Sequence, residues 1–95
     1  MSLIPDQEIE AFLGAHPGWA RHGKPIARTY EFSGFDEAMG FVTRIALLAE
    51  KLDHHPDIDI RWNKVTLSIF THSEGGLTAK DLDFARMADE RSSSG

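Results

Sequence analysis

The 95-residue sequence predicts an α+β fold of two layers, a four-stranded antiparallel sheet with helices on one of its faces. Segments that alternate apolar and polar residues, typical of half-buried strands, occur in two pairs with short connections, so each pair is expected to be antiparallel. Segments with helical spacing lie before, between and after the pairs, which gives the order α-β-β-α-β-β-α. Because a sheet with one apolar face needs helices over that face, two layers follow.

The first half of the chain predicts a helix and the first pair of strands. Apolar side chains recur at helical spacing over residues 5–15, and Pro17-Gly18 ends that helix. Residues 19–22 predict a short strand and residues 26–32 a longer one, with a turn between them.

The longest helix is predicted from Phe35 to about Leu52, with an apolar stripe along one side. Ser33 is expected to be its N-cap, with Asp36 as the partner in an approximate capping box. Thr78 and Asp81 predict a second capping pair, at the start of a final helix. Asp81 is therefore interpreted as a helix cap rather than as a catalytic acid.

The pair of strands after the longest helix is predicted to be a hairpin that turns at Asn63-Lys64. The apolar residues of the two strands then share one face of the sheet, the core face, whereas a shift by one residue would separate them. The expected pairs are Trp62 with Val65, Ile60 with Leu67, and Ile58 with Ile69. Continued outward, this register places His55 opposite His72, and a bulged turn would place His54 there instead.

Composition and length narrow the class of protein. The chain is expected to be a single domain, residues 1–95, with a frayed tail at residues 92–95. The net charge of −5 argues against direct nucleic-acid binding, and the absence of cysteine excludes disulfides and thiolate sites. No apolar run is long enough for a secretion signal or a membrane span. We therefore expect a cytoplasmic protein that does not associate with membranes.

The hairpin is thus predicted to bring His54 and His55 close to His72. Such a cluster can have a structural role, bind a zinc ion, or act as acid and base near neutral pH, where imidazole titrates. Zinc is the less favoured chemical role, because adjacent residues of an extended segment point to opposite faces unless the backbone bends at Pro56. Glu50 is expected to lie on the solvated face of the longest helix.

The residues around the histidines also form a recognisable pattern. The motifs are AEKLDHHPD at residues 49–57, WNKV at 62–65, TH at 71–72, GLT at 76–78 with Asp81, and Pro17-Gly18-Trp19 with Phe32, Phe35, Ala38 and Phe41 upstream. At these spacings the chain closely resembles the pterin-4a-carbinolamine dehydratases, from about residue 5 to residue 90.

The resemblance implies a hydro-lyase that converts 4a-hydroxytetrahydrobiopterin to quinonoid dihydropterin and water, in the recycling of tetrahydrobiopterin. It implies a small-molecule pterin substrate, no metal, no cofactor, and a homodimer or homotetramer. Carried over by position, the catalytic residues are His54, His55 and His72. The implied substrate-binding residues are Asp53, His54, His55, Thr71, His72 and Ser73.

The chemistry of the reaction suits imidazole side chains. Dehydration needs a proton for the hydroxyl that leaves C4a and the removal of another proton from N5. We expect His55 to protonate the hydroxyl, and His54 and His72 to bind the ring and share the role of base.

One position departs from the resemblance, since Ile58 stands where many relatives have an aromatic residue. The alternative function is a non-catalytic assembly or dimerisation factor on the same fold, which would have no reason to retain all three histidines.

Overall fold

The computed structural model describes residues 2–93 and contains the predicted order of helices and strands. The elements are α1 (Asp6–Ala15), β1 (Ala20–Arg21), β2 (Ile26–Glu31), α2 (Phe35–Leu52), β3 (Asp57–Arg61), β4 (Lys64–Ile69), a 3₁₀ turn (His72–Glu74) and α3 (Ala79–Ser93). The predicted α+β fold is therefore confirmed. Within residues 2–93, no helix is both long enough and apolar enough to cross a membrane.

The four strands form one antiparallel sheet in the order β1-β2-β4-β3. β4 lies in the interior of the sheet between β2 and β3, so β1 and β3 are the two edges. The chain crosses from β2 to the far edge through α2, because a connection of this length can pack its apolar stripe over the sheet. The three residues that immediately precede β3 are His54, His55 and Pro56, so the edge strand begins beside the histidine pair.

The core lies between the helices and one face of the sheet. Its largest fully buried side chains come from both layers: Ile26, Val65, Leu67 and Ile69 from the strands, and Ile9, Phe41, Ile45 and Phe84 from the helices. The opposite face of the sheet is polar, and the hydroxyls of Thr29 and Thr66 lie 2.7 Å apart on it. Helices thus cover one face, as predicted.

The predicted register of the β3–β4 hairpin is wrong by two residues. Ile58 pairs with Leu67 instead of Ile69, and the turn is formed by Trp62-Asn63 between Arg61 and Lys64. The shift is even, so the apolar residues keep a common face. It arises because Trp62 adopts a left-handed backbone conformation (φ 53°), which allows the chain to reverse one residue before the expected turn.

Ile58 lies on the core face of the sheet, as predicted, because it pairs with the buried Leu67, but Ile58 itself is not buried. Ile58 and Ile60 are 37% and 39% exposed, although their partners Leu67 and Val65 are buried. β3 is an edge strand that the helix layer does not fully cover. Trp62 lies in the turn and is 68% exposed.

Of the two predicted capping pairs, one is confirmed. The N-cap of α2 is Gly34, with no side-chain capping bond, and the hydroxyl of Ser33 donates instead to the side chain of Glu37. At α3, the carboxylate of Asp81 accepts a bond from the backbone N–H of Thr78 at 2.8 Å, as predicted. Of the tail expected to fray, Ser92 and Ser93 belong to α3, and residues 94–95 lie outside the described residues.

Candidate active site

The C-terminus of α2 directs the histidine pair. Asp53 adopts a left-handed conformation (φ 51°, ψ 47°), which aspartate tolerates better than most residues. The backbone N–H of His54 then donates to the carbonyl of Ala49 at 3.0 Å, the long-range bond that closes a Schellman motif. After this turn the side chain of His54 is buried, whereas that of His55 is exposed.

His54 is buried against a carboxylate of α3. Its side chain is largely covered, and Nε2 lies 2.5 Å from Oδ1 of Asp81, which has no solvent exposure. The ring also packs edge-on against Phe84, with 6.4 Å between ring centroids. Because a carboxylate only accepts, the hydrogen of a neutral imidazole is placed on Nε2, and Nδ1 keeps its lone pair.

The same carboxylate binds the segment that carries the third histidine. Oδ2 of Asp81 accepts bonds from the hydroxyl of Thr71 at 2.9 Å and from the backbone N–H of Thr78 at 2.8 Å. The hydroxyls of Thr71 and Thr78 are 2.8 Å apart. Asp81 therefore joins the end of α2, the segment after β4 and the start of α3. Within residues 2–93, every buried polar side-chain atom has a hydrogen-bond partner.

His55 lies in a different environment. Its side chain is half-exposed, and its Nε2 is 2.5 Å from Oε2 of Glu50, in the last turn of α2. Since Glu50 was expected to lie on the solvated face, its exposure agrees with the prediction, but its contact with His55 was not predicted. The contact places a carboxylate beside an imidazole that remains open to solvent.

His72 opens the 3₁₀ turn that follows β4 and is exposed. Its ring packs against Phe70, with centroids 4.1 Å apart. The loop is closed by the N–H of Thr71, which donates to the carbonyl of Gly76 at 2.9 Å, and Gly75 supplies the left-handed residue (φ 72°) that the turn requires. Ser73 lies on the exposed surface of the same turn.

The structure thus connects the two histidine segments, although not by the predicted ladder. β4 ends at Ile69, and His72 belongs to the turn beyond it, so the predicted opposition of His55 and His72 across the sheet is wrong. Asp81 links His54 to Thr71, the residue before His72. Sequence reasoning missed this partner, because the Thr78–Asp81 spacing was fully explained by helix capping.

A small cavity opens onto His54. It has a volume of about 120 Å³ and is lined by Leu52, His54, Lys80, Asp83 and Met87. Leu52 and Met87 form its apolar walls, and Lys80 and Asp83 carry charge. Within residues 2–93, no three histidine or acidic side chains converge in a way that could hold a metal ion.

A second cluster of polar side chains surrounds the carboxylate of Asp89. The indole N–H of Trp19 donates to it at 3.1 Å, the guanidinium of Arg28 at 3.0 Å, and the hydroxyl of Tyr30 at 2.5 Å. Burial and the neighbouring Asp89 carboxylate raise the pKa of Tyr30 well above its ordinary value. This cluster ties the end of α3 to β2.

Comparisons with known proteins assign the whole fold to one family. The sequence model of the family described as "Pterin 4 alpha carbinolamine dehydratase" matches residues 2–91. A protein of Roseiflexus castenholzii, named "Putative pterin-4-alpha-carbinolamine dehydratase", is 53% identical over 89 residues, which cover 94% of this chain and 96% of the relative. A protein of Mycobacteroides abscessus with the same name is 49% identical and covers 94% of this chain and 95% of its own length.

Solved structures agree with the sequence relatives. The crystal structure of a transcriptional coactivator/pterin dehydratase from Brucella melitensis has a TM-score of 0.90 and 35% identity, covering 96% of this chain and 99% of its own. A pterin dehydratase-like protein identified as a RuBisCO assembly factor in the alpha-carboxysome has a TM-score of 0.71 and 21% identity, covering 82% and 93%. The second similarity is one of fold alone.

Proposed function

The chain belongs to the pterin 4 alpha carbinolamine dehydratase family, and we propose that it is an active hydro-lyase that dehydrates 4a-hydroxytetrahydrobiopterin to quinonoid dihydropterin. The single observation that carries this proposal is the buried contact between His54 and Asp81. A carboxylate that fixes one imidazole nitrogen and leaves the other free is the usual arrangement for a histidine that moves protons.

The proposed reaction moves two protons and breaks one bond. His54, with Nε2 held by Asp81, accepts the proton from N5 of the pterin through its free Nδ1. Protonated His55 donates to the hydroxyl on C4a, the C–O bond breaks, and the electron pair released at N5 forms the N5=C4a double bond. Water leaves, and proton exchange with solvent returns both imidazoles to their starting forms. Imidazole titrates near neutral pH, so each transfer is expected to contribute about 10²–10⁴-fold.

Of the remaining predicted site residues, two are proposed to contact the pterin and two to position the site. His72 and Ser73 present an exposed ring and hydroxyl on the 3₁₀ turn, and His72 is proposed to help hold the pterin ring and to share the role of base with His54. Thr71 is buried against Asp81, so it positions the turn that carries His72 and Ser73. Asp53 is exposed at the end of α2, where its conformation aims the histidine pair. No step requires a metal or an organic cofactor.

The proposed role is the recycling of tetrahydrobiopterin in the cytoplasm by a homodimer or homotetramer. The alternative, a non-catalytic assembly or dimerisation factor, would retain the fold without needing a buried imidazole–carboxylate contact. The presence of that contact, together with two exposed histidines beside it, favours catalysis.

A stopped-flow ultraviolet assay with synthetic 4a-hydroxytetrahydrobiopterin tests this proposal. We expect the purified protein to accelerate formation of the quinonoid dihydropterin well beyond the spontaneous rate, in proportion to protein concentration. The variant His54→Gln, which keeps a polar side chain of similar size, should lose most of the acceleration. A wild-type protein that does not exceed the uncatalysed rate would contradict the proposal and favour the assembly role.

A further inference from the structure

Two residues before α1, Leu3 and Ile4, lie across the end of the loop that follows β4. The backbone N–H of Ile4 donates to the carbonyl of Leu77 at 3.0 Å, and Leu3 forms an isolated antiparallel bridge with Thr78. Leu77 and Thr78 are both buried. We call Leu3 and Ile4 the N-terminal strap, and residues 71–78 the histidine loop. The strap thus contacts a loop that is distant from it in sequence.

The N-terminal strap is attached to the body of the fold. The carbonyl of Pro5 accepts from the backbone N–H groups of Glu8 and Ile9, at 3.0 and 3.1 Å, so the strap leads directly into the first turn of α1. Ile9 is buried in the core, and Ile4 packs against the same core. Because the strap is anchored in this way, it can restrain the loop that it contacts.

Gly76 provides a separate observation of the same contact. Gly75 has a left-handed backbone (φ 72°), which explains why glycine is needed there, but Gly76 is not left-handed. A Cβ at Gly76 would lie 3.0 Å from Cδ2 of Leu3, closer than side chains normally pack. The missing side chain at position 76 therefore allows Leu3 to lie directly on the histidine loop.

The histidine loop carries the residues that are proposed to contact the pterin, His72 and Ser73. Both are exposed, and the backbone bonds of their turn are local, such as the bond from the N–H of Gly75 to the carbonyl of Thr71 at 3.0 Å. An exposed loop held by local bonds opens at a low cost in free energy. Asp81 restrains the start of the loop through Thr71, and the N-terminal strap restrains its end.

We propose that Leu3 is a positioning residue of the candidate active site. By packing on Gly76, it holds the histidine loop in the arrangement in which His72 and Ser73 bind the pterin. This inference rests on the proposed dehydratase function for the identity of the ligand. The restraint of the loop by the strap rests on the contacts alone.

The expected effect of Leu3 is on binding rather than on proton transfer. His54 is held by Asp81, and His55 contacts Glu50, and neither contact involves the N-terminal strap. When the strap is loosened, the histidine loop occupies its binding position for a smaller fraction of the time. The apparent affinity for the pterin falls in proportion to that fraction. KM should therefore rise while kcat changes little.

A double-mutant cycle in the full chain tests the contact. Leu3→Ala removes the packing on the loop, so it should raise KM for 4a-hydroxytetrahydrobiopterin about three- to fivefold and leave kcat within about twofold. Gly76→Ala places a methyl group where Leu3 lies and should raise KM by a similar factor. In the double variant the methyl group fills the space that the leucine left. Its KM should therefore be well below the product of the two single effects.

Leu47→Ala is the matched control, since Leu47 is another exposed leucine and lies on α2. It should keep the wild-type KM. Amide hydrogen exchange gives a second readout that does not depend on turnover. In Leu3→Ala the amides of Glu74 and Gly75 should exchange at least about fivefold faster than in the wild type, while that of Leu67 in β4 should be unchanged.

Each outcome decides the proposal. It is overturned if KM and exchange in Leu3→Ala equal those of the wild type, if the loss is confined to kcat, or if the two single effects on KM simply multiply. An equal rise of KM in Leu47→Ala would also overturn it. A wild type without turnover would refute the dehydratase function and with it the binding role, whereas faster exchange in Leu3→Ala would still show that the strap restrains the loop.

Discussion

Nε2 of His54 lies 2.5 Å from Oδ1 of Asp81, a residue 27 positions further along the chain. The carboxylate is fully buried and also accepts from Thr71 and the N–H of Thr78, so it holds three segments in one arrangement. This contact determines which imidazole nitrogen is free to take a proton. The catalytic proposal depends on it more than on any other pair.

Replacing Asp81 with asparagine should therefore reduce kcat by on the order of 10²-fold while KM changes little. The amide oxygen can still accept from the N–H of Thr78, so the start of α3 is retained, but the amide nitrogen can no longer accept from His54. Steady-state assays would measure the effect, and far-ultraviolet circular dichroism would verify folding.

Asp36→Asn is the matched control for this substitution. Asp36 also lies in the first turn of a helix, but it is exposed and distant in sequence from the histidines. We expect this variant to keep wild-type kcat. Equal kcat values for Asp81→Asn and the wild type would mean that the carboxylate has only a structural role.

Tyr30 should make stability depend on alkaline pH. Burial and Asp89 raise its pKa in the folded state, so above the ordinary tyrosine value of about 10 the unfolded chain loses a proton that the folded chain keeps. The stabilising contribution of Tyr30 is complete below pH 10. Above pH 10, the free energy of unfolding should fall by up to about 1.4 kcal/mol per pH unit. Urea unfolding between pH 9 and 11 measures this slope.

The variant Tyr30→Phe isolates that contribution. It lacks the titrating group, so its stability should decline less steeply over the same pH range, although its stability at pH 7 should be lower by about 1–2 kcal/mol. Tyr30 is the only tyrosine in the chain, so ultraviolet titration reports on it alone. Identical pH slopes for the two proteins would contradict the assigned pKa shift.

A side chain at Gly18 should displace the guanidinium of Arg28. A Cβ at this position would lie 2.5 Å from the guanidinium carbon of Arg28. Arg28 would have to move away from Asp89 and from its position over the ring of Tyr30, where the distance to the centroid is 4.7 Å. We expect Gly18→Ala to lower the free energy of unfolding by about 1 kcal/mol, since the lost ion pair is partly exposed.

Gly14→Ala serves as the comparison in a thermal or urea melt. A Cβ at Gly14 in α1 meets no atom within 4 Å, and alanine favours the helix by up to about 1 kcal/mol. The two substitutions should therefore change stability in opposite directions. A destabilised Gly14→Ala with an unaffected Gly18→Ala would contradict the close packing of Arg28 on Gly18.

Local patterns predicted most of the fold. The apolar stripe of α2 and the alternation in β2 and β4 are properties of neighbouring residues, and these elements form where the periodicity indicates. The hairpin register was missed because it depends on the backbone of Trp62, which adopts a conformation that its residue type does not favour. No propensity rule would place tryptophan at that position of a turn.

The candidate site was only partly predictable for a related reason. The histidine pair and the Thr78–Asp81 spacing are visible in the sequence, but the contact of His54 with Asp81 follows from how α2 packs on α3. A Thr–x–x–Asp spacing fits helix capping alone, and the second function of the carboxylate has no local signature. The exposure of β3 was also not predicted. The alternation of apolar and polar residues is the same in an edge strand as in a strand that helices cover.

The turnover of His55→Ala tests the central claim most directly. His22→Ala, which removes another exposed histidine, in the turn between β1 and β2, is the control. In the stopped-flow assay with 4a-hydroxytetrahydrobiopterin, we predict that His55→Ala loses at least about 10²-fold in kcat and keeps its fold, while His22→Ala matches the wild type. Near-normal turnover by His55→Ala would contradict histidine acid–base catalysis at this site.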